Sequence, residues 1–153
     1  MSIAVRMELI FRADRESFLE MAQRHFRELN PAFVPHEDWK QHYFNKIQSN
    51  PDWTLCWILQ GEQRAGFILF GLEDHRFLPR KTGAIYEVFV LPGFRHKGIA
   101  RECARQAICQ LQAANPSKIQ LEVVEGNIAA EQLWRSLGFR KVTARYVLTE
   151  EPK

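Results

Sequence analysis

The chain alternates between two hydrophobic periods. Ile3, Val5, Met7, Leu9 and Phe11 fall on one face at period two, which predicts a strand over 1–11. Helical spacing follows: Phe18, Met21, Ala22, His25, Phe26 and Leu29 form one stripe, with Asp14 as the expected N-cap and Asn30-Pro31 as the stop. A second helix is predicted from Pro35 to about Gln48, its apolar side made of Trp39, Tyr43, Phe44 and Ile47. After the turn Asn50-Pro51-Asp52, two apolar runs at 54–60 and 65–72 flank Gly61-Glu62-Gln63-Arg64 and read as a hairpin.

The stretch 73–83 is polar and basic and reads as a loop. Residues 84–91 form a strand that is apolar apart from Glu87. The clearest helix spans 97–114, with Ile99, Cys103, Ala104, Ala107, Ile108 and Leu111 on one side, and Asn115-Pro116 ends it. A strand at 118–124, a helix at 128–137 closed by Gly138, and a final strand or hairpin at 139–149 complete the pattern. The order β-α-α-β-β-β-α-β-α-β predicts a mixed α/β sheet in one domain covering 1–153.

Composition narrows the function classes. The chain has 153 residues, enough to bury a core without disulfides or metal, and its 11 Phe and 4 Trp exclude disorder. No apolar run approaches the roughly 18 residues of a membrane span, and the start lacks the apolar block of a signal peptide, so a cytoplasmic protein is expected. Net charge is only +3 and no long basic run exists, which argues against nucleic acid as a partner. Cys56, Cys103 and Cys109 have no metal-ligand spacing and are expected as buried, reduced thiols; no metal is expected at the histidines either.

The chemistry concentrates in Val88-Phe89-Val90-Leu91-Pro92-Gly93-Phe94-Arg95-His96-Lys97-Gly98-Ile99-Ala100. A buried strand ends at Pro92 and a short loop feeds a helix start. Free N–H groups there make an anion site, glycine admits a phosphate close to the backbone, and Arg95 and Lys97 add positive charge. Neither the dinucleotide nor the P-loop glycine pattern is present.

Arg95-x-x-Gly98-x-Ala100 after Val90-x-Pro92 resembles the acyl-CoA-binding motif of the GCN5-related N-acetyltransferases (GNAT). Leu121-Glu122-Val123, Asn127, Ala130, Leu133-Trp134 and Gly138-Phe139 resemble that family's later signature. The resemblance implies a mostly antiparallel mixed sheet of about six or seven strands and about four helices. It implies central strands splayed near residues 88–90 and 122, with acetyl-CoA between them and CoA as product. Val88, Phe89 and Val90 would meet the pantetheine arm, with a backbone N–H near Val90 polarising the thioester carbonyl. The main chain from Arg95 through His96, Lys97, Gly98, Ile99 and Ala100 would hold the pyrophosphate. Asn127 would bond the arm or neighbouring backbone. Trp134 stands where the family often has a Tyr acting as general acid; an indole cannot deliver that proton and is expected to pack instead.

An amine of pKa near 10.4 is only about 0.04% neutral at pH 7, so attack on the thioester benefits from a base. Glu87 is the first candidate, as the sole charge in its strand. Glu122 is the second, matching the position of the glutamate in relatives acting on protein N-termini. Tyr86 and Tyr146 are spare candidates for an acid. The aromatic residues Phe26, Phe33, Trp39, Tyr43 and Phe44 are expected mainly as a seam holding the first helices to the sheet. The resulting expectation is direct acetyl transfer to a primary amine, of a small molecule first and of a protein N-terminus or lysine second. A non-catalytic acyl-CoA-binding module is the alternative from another class. A sheet edge left open after Phe139 would allow two copies to pair as a homodimer.

Overall fold

The computed structural model describes residues 4–149. Among these residues one sheet of five strands runs in the order β1 (Val5–Leu9), β2 (Trp53–Gln60), β3 (Gln63–Glu73), β4 (Thr82–Val90) and β5 (Ile119–Leu121). The first four pair antiparallel in sequence, and β5 joins β4 in parallel. Four α-helices flank the sheet: α1 (Arg15–Leu29), α2 (Glu37–Gln48), α3 (Ile99–Ala113) and α4 (Ile128–Ser136). Short 3-10 turns at Arg12–Asp14 and Pro92–Phe94 lead into α1 and toward α3.

Each face of the sheet has its own core. α1 and α2 cover one face through Phe18, Ala22, Phe44 and Ile47, packed on Trp57, Leu59, Phe67, Leu69 and Phe89. α3 covers the other through Ile99, Cys103, Ala104, Ala107 and Leu111, packed on Cys56, Ile58, Ile68, Ile85 and Val90. With both faces covered, β2, β3 and β4 are near-continuous apolar runs rather than alternating ones.

Three expectations need correction. Among the described residues the sheet has five strands, because no strand forms at 139–149; Val142, Tyr146, Val147 and Leu148 there are exposed. β5 is three residues long rather than seven, since its pairing with β4 stops at Leu121. Cys109 is exposed, unlike Cys56 and Cys103, because it lies off the inward stripe of α3. Burial pushes the Cys56 thiol up to about 11 and the Cys103 thiol up to about 12, so both stay protonated in the folded chain. Residues 1–3 of the predicted first strand lie outside the described residues.

Candidate active site

The site begins with an irregularity in β4. Leu69 pairs with Glu87 but Phe70 pairs with Ile85, so Tyr86 is an extra residue in the ladder. A bulge of this kind bends a strand and re-aims the side chains beyond it. Ile85 packs on the α3 face and Tyr86 on the α1–α2 face. Strict alternation would return Glu87 to the α3 face. The bulge keeps it on the α1–α2 face instead, where its Oε2 lies 2.5 Å from Nε2 of His25 on α1. The His25 side chain is 10% exposed and its ring sits among Phe26, Phe67 and Phe89, with ring centroids 5.1, 5.7 and 5.3 Å away. The Tyr43 hydroxyl from α2 is buried without a partner among the described residues. Its burial, reinforced by the charge of Glu87, raises its pKa above the ordinary tyrosine value.

The same bulge marks where β4 and β5 part. Their pairing covers only Gly83, Ala84 and Ile85 of β4, so the β5-facing edge of Tyr86–Val90 has no strand partner among the described residues. Backbone direction along that edge follows from two contacts. The Leu91 N–H donates to Ala65 across on β3, and a Cβ built on Gly66 would lie 1.8 Å from the Phe89 carbonyl oxygen. Positions 89 and 91 therefore face β3, and by alternation the polar groups of Val88 and Val90 face the gap. The Val90 carbonyl accepts from Nε of Arg95 at 2.7 Å, which leaves the N–H groups of Val88 and Val90 directed into the gap.

Beyond β4 the chain turns through Pro92–Phe94 into α3. Gly98 is the N-cap, with φ of 80°, and His96 also lies in the left-handed region at 63°. Glycine fits such a backbone without strain, whereas His96 carries it as a cost. Among the described residues, the N–H groups of His96 through Arg101 have no hydrogen-bond acceptor; the first one satisfied is that of Glu102, on Gly98. Six free donors at and just before a helix N-terminus suit a polyanion. This cradle and the open edge of β4 fit a pyrophosphate joined to an extended amide arm.

A model of the acetyltransferase (GNAT) family matches residues 15–139. The chain belongs to that family. A [ribosomal protein bS18]-alanine N-acetyltransferase of Haemophilus ducreyi is 36% identical over 61 residues, which span 40% of this chain and 42% of that one. The fold is similar to that of a transcriptional regulator from Bacillus halodurans C-125, with TM-score 0.78 at 18% identity, covering 95% of this chain and 99% of that one. It is similar also to an aminoglycoside N-acetyltransferase in complex with CoA, with TM-score 0.73 at 14% identity, covering 99% of this chain and 97% of that one.

Within the GNAT frame the predicted residues divide. The structure brings Val88, Val90, His96, Lys97, Gly98, Ile99 and Ala100 to the gap and the cradle through their backbones. The Ile99 side chain is core, and the Lys97 and His96 side chains are exposed. Phe89 is turned away from the gap: its carbonyl meets β3 and its ring packs against His25 and Phe67. The Arg95 side chain is engaged inside the protein, donating to the Val90 carbonyl and, through one terminal nitrogen, to both carboxylate oxygens of Glu28 at 2.8 Å. It braces the loop against α1. The Asn127 side chain caps α4 by accepting from the Ala130 N–H at 3.1 Å. Trp134 is buried in the α3-side core, edge-on to Phe139.

Glu122 is not brought to Glu87: its side chain is 75% exposed and paired with Arg145. Tyr86 donates to Glu73 at 2.8 Å, and Tyr146 is exposed. Phe26, Phe33, Trp39 and Tyr43 pack on one another at ring distances of 5.2–6.0 Å, and Phe44 is fully buried, so these rings form the seam. The residue that sequence reasoning missed is His25. Its signal was its place within the apolar stripe of α1, where a polar side chain needs a partner on the sheet.

Proposed function

We propose that this protein transfers the acetyl group of acetyl-CoA directly to a primary amine of a small molecule, with Glu87 taking the amine proton. The observation that supports the reading best is the bulge at Tyr86. One irregularity turns Glu87 to the α1–α2 face and lies where the backbone edge of β4 opens. The free N–H groups at 96–101 would hold the pyrophosphate, and the backbone of Val88 and Val90 would align the arm. The bound thioester supplies an activated acetyl carbon. The N–H of Val90 or Val88 would donate to the carbonyl oxygen as charge develops on it. Glu87 would accept the proton that an ammonium must lose before attack. The departing thiol has an ordinary pKa of about 8.5, so its thiolate can leave without a dedicated acid. Trp134, buried and unable to deliver a proton, is consistent with that.

The test is release of free CoA from acetyl-CoA across a panel of amines: polyamines, aminoglycosides, and a peptide beginning with alanine. Turnover on a small amine is the expected result. Glu87→Gln should lower kcat about 10²-fold or more, with the KM for acetyl-CoA unchanged. The loss should shrink at high pH, where the amine deprotonates unaided. Tight CoA binding with no acetylated amine would overturn the enzyme assignment in favour of a binding module. The 61-residue likeness to an alanine N-acetyltransferase supports a second reading, with a protein N-terminus as acceptor. Turnover confined to the peptide would select it.

A further inference from the structure

We propose that His25 is a positioning residue for the transfer, holding the Glu87 carboxylate at the bulge of β4 so that its free oxygen faces the acceptor amine. The inference rests on Glu87 being the base. Glu87 follows the extra residue Tyr86, where the ladder constrains side-chain direction least. Its neighbours on that face are aromatic rings, which offer a carboxylate no fixed hydrogen bond. His25 is the side-chain partner that Glu87 has among the described residues.

The imidazole, in contrast, is held tightly. α1 fixes its backbone, and Phe26, Phe67 and Phe89 surround its ring. The rigid ring therefore orients the less constrained carboxylate. With the proton on Nε2, His25 donates to Oε2 at 2.5 Å and leaves Oε1 to take the amine proton. Nothing in the pair needs to leave its rotamer during the reaction. The other charged or titratable groups nearby are accounted for. Tyr43 on α2 carries a buried hydroxyl, Arg95 lies over the Phe89 ring and is paired with Glu28, and Tyr86 donates to Glu73.

The variants separate orientation from mere packing. His25→Gln places an amide N–H close to the original Nε2, whereas His25→Asn is too short to reach Glu87 and His25→Leu fills the space without a donor. The expected result is a kcat about 10- to 100-fold lower for His25→Leu and His25→Asn, the usual scale for losing an orienting partner. His25→Gln should recover most of that loss. KM for acetyl-CoA should stay within about twofold in all three, since His25 bonds none of the free N–H groups at 96–101 and the Arg95–Glu28 pair that ties the loop to α1 is left intact. Wild-type kcat in His25→Leu would overturn the proposal. So would a His25→Gln variant as slow as His25→Asn, because the ring would then act by something other than its donor. If His25→Leu does not fold, the contrast between Gln and Asn still decides. Should Glu87→Gln turn over like wild type, the assignment of the base fails. Should Glu87→Gln be slow and His25→Asn fast, the inference about His25 alone fails.

Discussion

The two sides of β4 are built from different material. The donor side is backbone: free N–H groups from His96 to Arg101 and the unpaired edge of Val88 and Val90. Its side chains are exposed, engaged elsewhere, or buried in the core. The α1–α2 side is side chain: a carboxylate, an imidazole and a phenol set in rings that pack on one another. A backbone site depends on chain path, and a substitution matters there only where it changes φ or fills space. A side-chain site depends on identity, and loses its function with one atom. This explains why the donor motif is legible as a pattern of Gly, Pro and spacing, while the acceptor side carries no comparable pattern.

The largest effect should come from the side-chain side. Phe18 is fully buried, edge-on to Phe67 at 5.1 Å and stacked on Tyr43 at 5.9 Å. Phe18→Ala should cost about 3–5 kcal/mol in urea unfolding, the range for a large aromatic in a close-packed core. A cost below about 1 kcal/mol would mean that the wall between α1, α2 and the sheet is loosely filled. The space there would then suit an acceptor better than a seam.

On the backbone side the decisive position is Gly98. An L-residue at its φ of 80° is strained by about 1–2 kcal/mol, so Gly98→Val should shift the start of α3 and crowd the cradle. CoA affinity by calorimetry should fall at least about tenfold, equivalent to about 1.4 kcal/mol. Lys97→Ala removes only an exposed charge and should cost about fivefold or less. If Lys97→Ala is the worse of the two, charge rather than backbone approach holds the anion, and the contrast between the two sides narrows.

Most of the fold was legible because its signals are local. The stripes of α1 and α3, the hairpin turn at Gly61 and the stop at Asn115-Pro116 each act within a few residues, and the elements formed close to where they predict. The misses depend on distant partners. Residues 139–149 have strand-like apolar content, yet a strand exists only where a neighbour supplies hydrogen bonds, and the ladder of β5 ends at Leu121. The bulge at Tyr86 is equally silent in sequence, because it is a register shift between β3 and β4. For the site, Glu87 stood out as a lone charge in an apolar strand. Its partner His25 lies 62 positions earlier, and only the packing of α1 on the sheet joins them.

The smallest expected effect tests the two carboxylates against each other. Sequence made Glu87 and Glu122 rivals, since each is an acidic residue at a predicted strand. The structure gives them opposite surroundings: Glu87 is mostly enclosed and held by His25, while Glu122 lies in solvent with Arg145. An exposed ion pair is worth about 0–1 kcal/mol, and a solvated carboxylate with a mobile cationic partner is poorly placed to be aimed at a substrate. Glu122→Gln should therefore leave turnover within about twofold of wild type at pH 7, whichever amine is used. A larger loss in Glu122→Gln than in Glu87→Gln, measured with the alanine peptide and with a small amine, would move the base to the β5 side of the gap. It would also favour the protein N-terminus as acceptor, because a peptide would then have to pass the exposed rim where Glu122 and Arg145 stand.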